Sequence, residues 1–378
     1  MIGKEYDTAD AVGYHTGSFP PGILDYGGLL LEPLLDATTM LARYDTKMSD
    51  LINSRLLLAP LTRQDAVVSS RMEGTISSVE DVYRLEAEGD PGQAGINHDI
   101  RHDDIETWLY SRAMQDAQKA LEDGMPLGEH LIKATHQTLL SFGRGASKHP
   151  GRYKIEQNSI GDRRSGTITF VPIAPEHLAP AMESLVQFIN DSTVSPLIRA
   201  AIVHAEFEAL HPFVDGNGRI GRMLITLMLW RLCVLSRPYF FLSGYFEEHR
   251  DEYLERLRSV SASNDWNGWV AFFLRAIARQ AEVNIRLAEG IHRLYMDMRE
   301  RFRTILRSKH HDQVLDFVFA NPIFRNDRLI GSTDIPPASA RSFTRRLTEA
   351  NLLRVVVQPS GRRPGAYAFD PLLNLIKV

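Results

Sequence analysis

The sequence predicts a mainly α fold: a helical bundle carrying one β-hairpin, preceded by a helical lobe and followed by a small module of helices and a hairpin. Three observations predict it. Apolar residues recur at helical spacing along most of the chain, as in Leu197, Ile198, Ala201, Ile202, Ala205 and Ala209. Strand-like character is confined to short runs, with Thr167, Ile168, Thr169, Phe170 and Val171 foremost. A turn-rich stretch at 211–222 feeds directly into the apolar run 223–230, the layout of a loop opening a buried helix.

Taken in order, the part up to about residue 84 holds Pro20-Pro21, an apolar run at 29–35 and a helical stretch to Leu58. Residues 86–95 are rich in Gly, Pro and acid and read as a loop. Helices are expected over 97–121 and 127–142. The polar tip at 162–166 between Ile160-Gly161 and Thr167 marks a hairpin within 151–172. A helix over 196–210 follows. Pro212 then moves His211 out of the helical region of backbone space, and a new helix begins near Arg219. Helices over 246–260 and 266–291 complete the bundle.

From His310 the pattern changes. Short helices are expected at 310–320 and 327–330. In a third, starting near Asp334, Ala340, Phe343, Leu347 and Ala350 form the apolar stripe, with Arg341, Arg345 and Arg346 off it. Strands at 355–358 and 366–369 flank a turn containing Arg362 and Arg363. The expected division is therefore 1–95, 96–295 and 305–378.

Composition narrows the function classes. The 378 residues are 44% hydrophobic and 24% charged, with a formal net charge of −4. That is ordinary for a globular protein and gives no global pull towards nucleic acid or anionic membrane. No signal-peptide pattern opens the chain, and the run 223–230 is too short to span a bilayer. One cysteine excludes an internal disulfide framework, so a cytoplasmic location with no membrane partner is expected. That residue, Cys233, reads as a small core side chain at the end of the apolar helix.

The chemistry concentrates in residues 211–222, His-Pro-Phe-Val-Asp-Gly-Asn-Gly-Arg-Ile-Gly-Arg. Gly216 and Gly218 allow a tight turn and close approach to a ligand. The helix after them offers unpaired N–H groups and the positive end of its dipole, an anion site. Asp215 is a hard oxygen donor suited to Mg²⁺ shared with phosphate oxygens. Asn217 can donate to phosphate, and Arg219 and Arg222, one helical step apart, can grip it as planar forks. An imidazole at His211 suits general-base work near neutral pH. Gly216, Gly218 and Gly221 also match the dinucleotide fingerprint, but that fingerprint needs a preceding strand where a helix is expected here.

These residues resemble the motif of Fic domains, H-P-F-x-[D/E]-G-N-G-R-x-x-R, with every defined position filled. The resemblance extends roughly over residues 35–286. It implies a protein adenylyltransferase that moves AMP from ATP to a Ser, Thr or Tyr hydroxyl of a target protein. His211 would be the base, and Asp215 would hold Mg²⁺. Gly216, Asn217 and Gly218 would contact the α- and β-phosphates, Arg219 the β-phosphate region and Arg222 the γ-phosphate. Phe213 would anchor the loop in the core. A second segment, Ser69-Ser-Arg-Met-Glu73-Gly74, resembles the family's inhibitory motif. It implies that Glu73 restrains the enzyme by pairing with Arg222. The hairpin, with Gln157, Ile160, Gly161, Thr167, Ile168 and Thr169, resembles the flap on which an extended target segment pairs. Asn158-Ser159 stand where the family often has an aromatic residue, which leaves flap geometry open.

The last module is similar to a winged helix. Its arginines could meet DNA phosphate, but the acidic overall charge favours protein contact. A homodimer is left open as a partner state. Two alternatives stay on the table: another nucleotidyl or phosphocholine transfer, or AMP removal, on the same fold; and a nucleotide-sensing DNA-binding regulator.

Overall fold

Helical periodicity is realised along nearly the whole chain in the computed structural model, which describes residues 8, 10–51, 54–88, 101–162, 166–358 and 365–378. First come β1 (Val12–Gly13), α1 (Leu31–Ser49), α2 (Ser54–Met72), α3 (Val79–Glu88) and α4 (His102–Glu122). Then α5 (Glu129–Leu139) leads through a 3-10 turn, Gly143–Ser147, to β2 (Ile160–Asp162) and β3 (Thr167–Val171). They are followed by α6 (Pro175–Asp191), α7 (Pro196–Leu210), α8 (Asn217–Arg231), α9 (Ser243–Glu248), α10 (Arg250–Ser263) and α11 (Trp266–Leu306). The chain closes with α12 (His311–Ala320), β4 (Ile323–Arg325), α13 (Asn326–Gly331), α14 (Pro337–Glu349), β5 (Arg354–Val357), β6 (Ala366–Ala368) and α15 (Asp370–Leu375). Among the described residues, no helix is long and apolar enough to cross a membrane.

The chain divides into two units, residues 1–45 with 112–282, and residues 46–111 with 283–378. The first is organised around α7 and α8, which are buried on almost every face. Helices that are apolar all round belong at the centre of a bundle. Trp269, fully buried on α11, donates its indole N–H to the Ala201 carbonyl of α7 at 2.7 Å. A Cβ on Gly221 would fall 2.2 Å from Glu208 Oε1 and 3.3 Å from the His204 ring, so α7 and α8 approach closely there because glycine has no side chain. The expected hairpin forms: β2 pairs antiparallel with β3, with a bulge between Ile160 and Gly161. β1 adds in parallel on the other side, giving the order β1-β3-β2 with β2 at the edge.

The second unit packs Val82, Tyr83, Phe302, Val314, Val318, Phe324, Leu347 and Phe369 into its core. Its sheet has the antiparallel order β4-β6-β5. As expected, α14 buries Ala340, Phe343 and Leu347, and Arg341 and Arg345 are exposed. Arg346 is not on an open face: its guanidinium donates to the Leu306 carbonyl at 2.6 Å, satisfying the C-terminal end of α11.

Several expectations are corrected. The stretch expected to stop at Leu58 is two helices, and α2 runs through Pro60 to Met72. Burial of Leu57, Leu58, Leu61, Val67 and Val68 outweighs the one backbone hydrogen bond that proline removes. The segment expected as a single helix over 246–260 is broken between α9 and α10 at His249, and α11 continues past Ile291 for 41 residues in all. Cys233 is not a core residue. α8 ends at Arg231, and Cys233 sits exposed beyond it at φ 58°. Trp266 and Trp269 are core residues, while Trp230 is only partly buried. The start of the helix expected from Asn97, most of the loop expected at 86–95, the hairpin tip at 163–165 and the turn carrying Arg362 and Arg363 lie outside the described residues.

Candidate active site

The 211–222 loop is built by the way one helix stops and the next begins. α7 ends at Leu210, and His211 caps it with its N–H on the Phe207 carbonyl at 3.0 Å. As expected with proline after it, His211 leaves the right-handed helical region: it adopts φ 45°, ψ 60°, the left-handed region, which costs a non-glycine residue about 1–2 kcal/mol. Phe213 then drives into the core, fully buried, with its ring stacked on His136 at 3.7 Å and 7°. Burying such a ring contributes about 1.5–3 kcal/mol. Val214 is exposed at the loop tip.

α8 opens at Asn217, two residues earlier than expected, with Gly216 as its cap at φ 81°. Gly216 therefore supplies the left-handed turn. Gly218 lies inside the first helical turn and has no such backbone demand. The Asn217 amide clasps the loop: Oδ1 accepts from Phe213 N–H and Nδ2 donates to the Phe213 carbonyl, both at 2.8 Å. One Nδ2 hydrogen is left over for a ligand. Asp215 Oδ1 accepts from Gly216 N–H at 2.6 Å and from Arg219 Nη2 at 3.3 Å, with the Asp215 side chain 44% exposed. Arg219 is buried, and its Nε and Nη1 have no hydrogen-bond partner among the described residues. A buried, half-satisfied guanidinium is costly unless an anion completes it. Arg222 is buried on the same helix face one step on.

Three residues that the motif does not name hold this loop. His136, on the buried face of α5, accepts from Gly151 N–H through Nδ1 at 2.8 Å and meets the Asp215 carbonyl through Nε2 at 2.9 Å. The proton therefore sits on Nε2, which donates. Burial pushes this imidazole down to about 4, keeping it neutral. Lys154, 3% exposed, donates from Nζ to the Leu210 carbonyl at 3.1 Å and to Asn158 Oδ1 at 2.7 Å. Burial pushes its ammonium down to about 8. Asn158 Nδ2 lies 3.1 Å from both the His211 and Phe213 carbonyls. The nearest sequence signal for His136 was its place on an apolar stripe with Leu131, Ile132, Thr135 and Leu139. Lys154 lies in irregular backbone and carried none, and Asn158 was marked only as a departure from the aromatic residue the family often has there.

The hairpin residues are where the sequence placed them. Ile160 and Gly161 lie on β2, and Thr167, Ile168 and Thr169 on β3. Gln157 donates to the Pro172 carbonyl at 3.0 Å, closing the hairpin base. In the other unit, Ser69 is buried near the end of α2, and Glu73 lies exposed in the turn just past it, its N–H on the Ser70 carbonyl at 3.0 Å. Gly74 follows at φ 89°, the left-handed residue that commonly ends a helix.

Comparison with known proteins adds two family matches. Residues 126–229 match the model of the Fic/DOC family, and residues 31–119 that of the Fic/DOC family N-terminal region. Together they take in just over half of the 378 residues. The chain is 32% identical over 158 residues to protein adenylyltransferase fic-1 of Caenorhabditis elegans, covering 41% of this chain and 27% of that protein. It is 29% identical over 228 residues to protein adenylyltransferase Fic of Nematostella vectensis, covering 59% and 47% respectively. It therefore spans less than half the length of these curated relatives. A crystal structure of a Fic family protein from Desulfovibrio desulfuricans superposes with a TM-score of 0.57 at 19% identity, over 93% of this chain and 98% of that one. The fold is shared.

Proposed function

The chain belongs to the Fic/DOC family, and from that premise we propose that it transfers AMP from ATP to a hydroxyl side chain of a target protein. The observation that carries the reading is Arg219: a buried guanidinium with two nitrogens unpartnered among the described residues, at the mouth of a helix opened by a left-handed glycine. A polyphosphate supplies what that pocket lacks.

In this reading the first N–H groups of α8 and Arg219 hold the β-phosphate region, Arg222 takes the γ-phosphate, and the spare Asn217 hydrogen faces the α-phosphate. Asp215 fits Mg²⁺, because a half-exposed hard carboxylate is the donor that ion combines with phosphate oxygens. When bound, Mg²⁺ neutralises charge on the phosphates. His211 takes the proton from the target hydroxyl as its oxygen bonds to the α-phosphorus. The bond from that phosphorus to the bridging oxygen breaks, and pyrophosphate leaves. Positioning and charge stabilisation supply most of the rate.

Two further roles belong to the same reading. Glu73 restrains the site by pairing with Arg222, and β2, an edge strand of its sheet, receives an extended target segment. The helix-strand-helix-helix-strand-strand order from α12 to β6 supports a winged-helix module used for protein contact, since Arg346 is already engaged within the fold.

The test is transfer of α-labelled ATP, UTP, GTP and CTP to lysate proteins by wild type, Glu73→Gly and His211→Ala. The expected result is labelling from ATP that His211→Ala abolishes, since a general base contributes about 10²- to 10⁴-fold. Labelling from another nucleotide alone, or equal labelling by His211→Ala, overturns the proposal.

A further inference from the structure

We propose that Lys154 and Asn158 are positioning residues for His211, forming a bracket that holds its backbone in the left-handed conformation and so aims its imidazole. The inference rests on His211 being the base of the proposed transfer.

A non-glycine residue stays at φ 45° only where its surroundings over-determine it. Here four consecutive carbonyls are gripped by two residues. The Leu210 carbonyl accepts from Lys154 Nζ at 3.1 Å, and the Pro212 carbonyl from Lys154 N–H at 2.8 Å. The His211 and Phe213 carbonyls accept from Asn158 Nδ2, each at 3.1 Å. The two side chains are tied together by Lys154 Nζ donating to Asn158 Oδ1 at 2.7 Å. The peptide units on both sides of His211 are therefore fixed, and with them its φ and ψ.

The choice of residues argues for more than packing. Lys154 is 3% exposed, and no carboxylate pairs with it among the described residues. An apolar side chain would fill that space at lower cost, because a buried ammonium must be desolvated. What an apolar residue could not do is reach the carbonyls of the turn. Asn158 is suited for the same reason. Its amide offers donor hydrogens on one atom and an acceptor on the other, and all of them are used on this loop or on Lys154. Asn158 also lies two residues before β2, so the base and that edge strand are set by one continuous segment.

Asn158→Asp is nearly isosteric and keeps the acceptor for Lys154, but it removes both donors to the loop. Lys154→Met keeps the aliphatic stem and removes the Nζ donors. Lys154→Arg restores donors. The variants are assayed in the background that shows transfer. For Asn158→Asp and Lys154→Met, kcat is expected to fall about 10²-fold, the scale of an ångström-sized misplacement. Affinity for Mg·ATP is expected to change by no more than about twofold, because the bracket meets α8 only through the Phe213 carbonyl that Asn217 also holds. Lys154→Arg is expected to recover most of the lost rate.

A crystal structure of Asn158→Asp provides a readout independent of activity: His211 should leave positive φ. If φ stays near its present value, or if kcat is unchanged in a folded Asn158→Asp protein, the bracket does not position the base. Loss of nucleotide affinity in parallel with kcat would show a general loop collapse instead and also overturn the inference. If no background transfers AMP at all, the functional reading fails, and the crystal structure still decides whether the bracket sets the His211 backbone.

Discussion

Arg219→Met separates a ligand anchor from a structural residue. Among the described residues, two buried nitrogens of Arg219 have no hydrogen-bond partner. Each such unsatisfied donor costs about 1–3 kcal/mol. Against this stands one contact, Nη2 to Asp215 Oδ1 at 3.3 Å, with the aspartate side chain 44% exposed. Such a partly solvated pair contributes about 1 kcal/mol or less. Methionine keeps most of the stem and removes the charge, so the ligand-free variant should be as stable as wild type, or more stable by about 1–4 kcal/mol, the range seen when buried ions give way to apolar side chains.

With nucleotide the order reverses. At about a thousand times its dissociation constant, Mg·ATP stabilises wild type by about 4 kcal/mol. Truncating a buried charged partner costs about 2–5 kcal/mol of binding, so the same nucleotide concentration should stabilise the variant by about 2 kcal/mol or less. Urea unfolding with and without Mg·ATP measures both effects. If Arg219→Met loses more than about 1 kcal/mol without nucleotide and keeps the full nucleotide-dependent gain, the arginine serves the fold and the anion-site argument is wrong.

Three other outcomes are expected. A Cβ on Gly161 would lie 2.0 Å from the Thr167 carbonyl oxygen and 2.8 Å from Ile168 Cα; Gly161→Ala should therefore open the β2–β3 pairing and lower target labelling while calorimetry shows unchanged Mg·ATP affinity. Glu73→Gly should raise labelling from α-labelled ATP over wild type, and equal labelling in the two would remove Glu73 from the account of restraint. His204, fully buried on α7 against Phe246, Tyr253 and Trp269, has its imidazole pushed down to about 3 by burial. Its folded pKa lies below its unfolded one, so the unfolded chain binds more protons and stability falls as pH drops from about 6.5 towards 3, by about 1.4 kcal/mol per unit for this residue. Urea midpoints measured between pH 7 and pH 4 should show a shallower acid loss in His204→Gln.

Much of this structure was legible in the sequence, for identifiable reasons. α7, the loop and α8 were readable because apolar periodicity, a proline and a left-handed glycine all point to the same break. What escaped was structure defined by distant partners. β1 is two residues long and exists as a strand only through Phe170 and Val171 of β3. β4 is three residues long and is made a strand by β6. Neither is long enough to show alternation. α6 was not assigned, and Pro180 lies inside it. Cys233 was misplaced because an apolar composition does not reveal where a helix stops. At the site, the residues that would touch phosphate were visible because their side-chain chemistry is local to the motif. Lys154, Asn158 and His136 act on main-chain carbonyls up to 79 positions away, and the receiving carbonyls carry no sequence mark.

The central claim is that a triphosphate seats at the mouth of α8 with its α-phosphorus facing His211. A crystal structure of the Glu73→Gly protein with a non-hydrolysable Mg·ATP analogue tests it most directly. The account predicts phosphate oxygens on Arg219, Arg222 and the first N–H groups of α8, and the metal on Asp215. A nucleotide bound elsewhere, or a loop left vacant at saturating analogue, contradicts it.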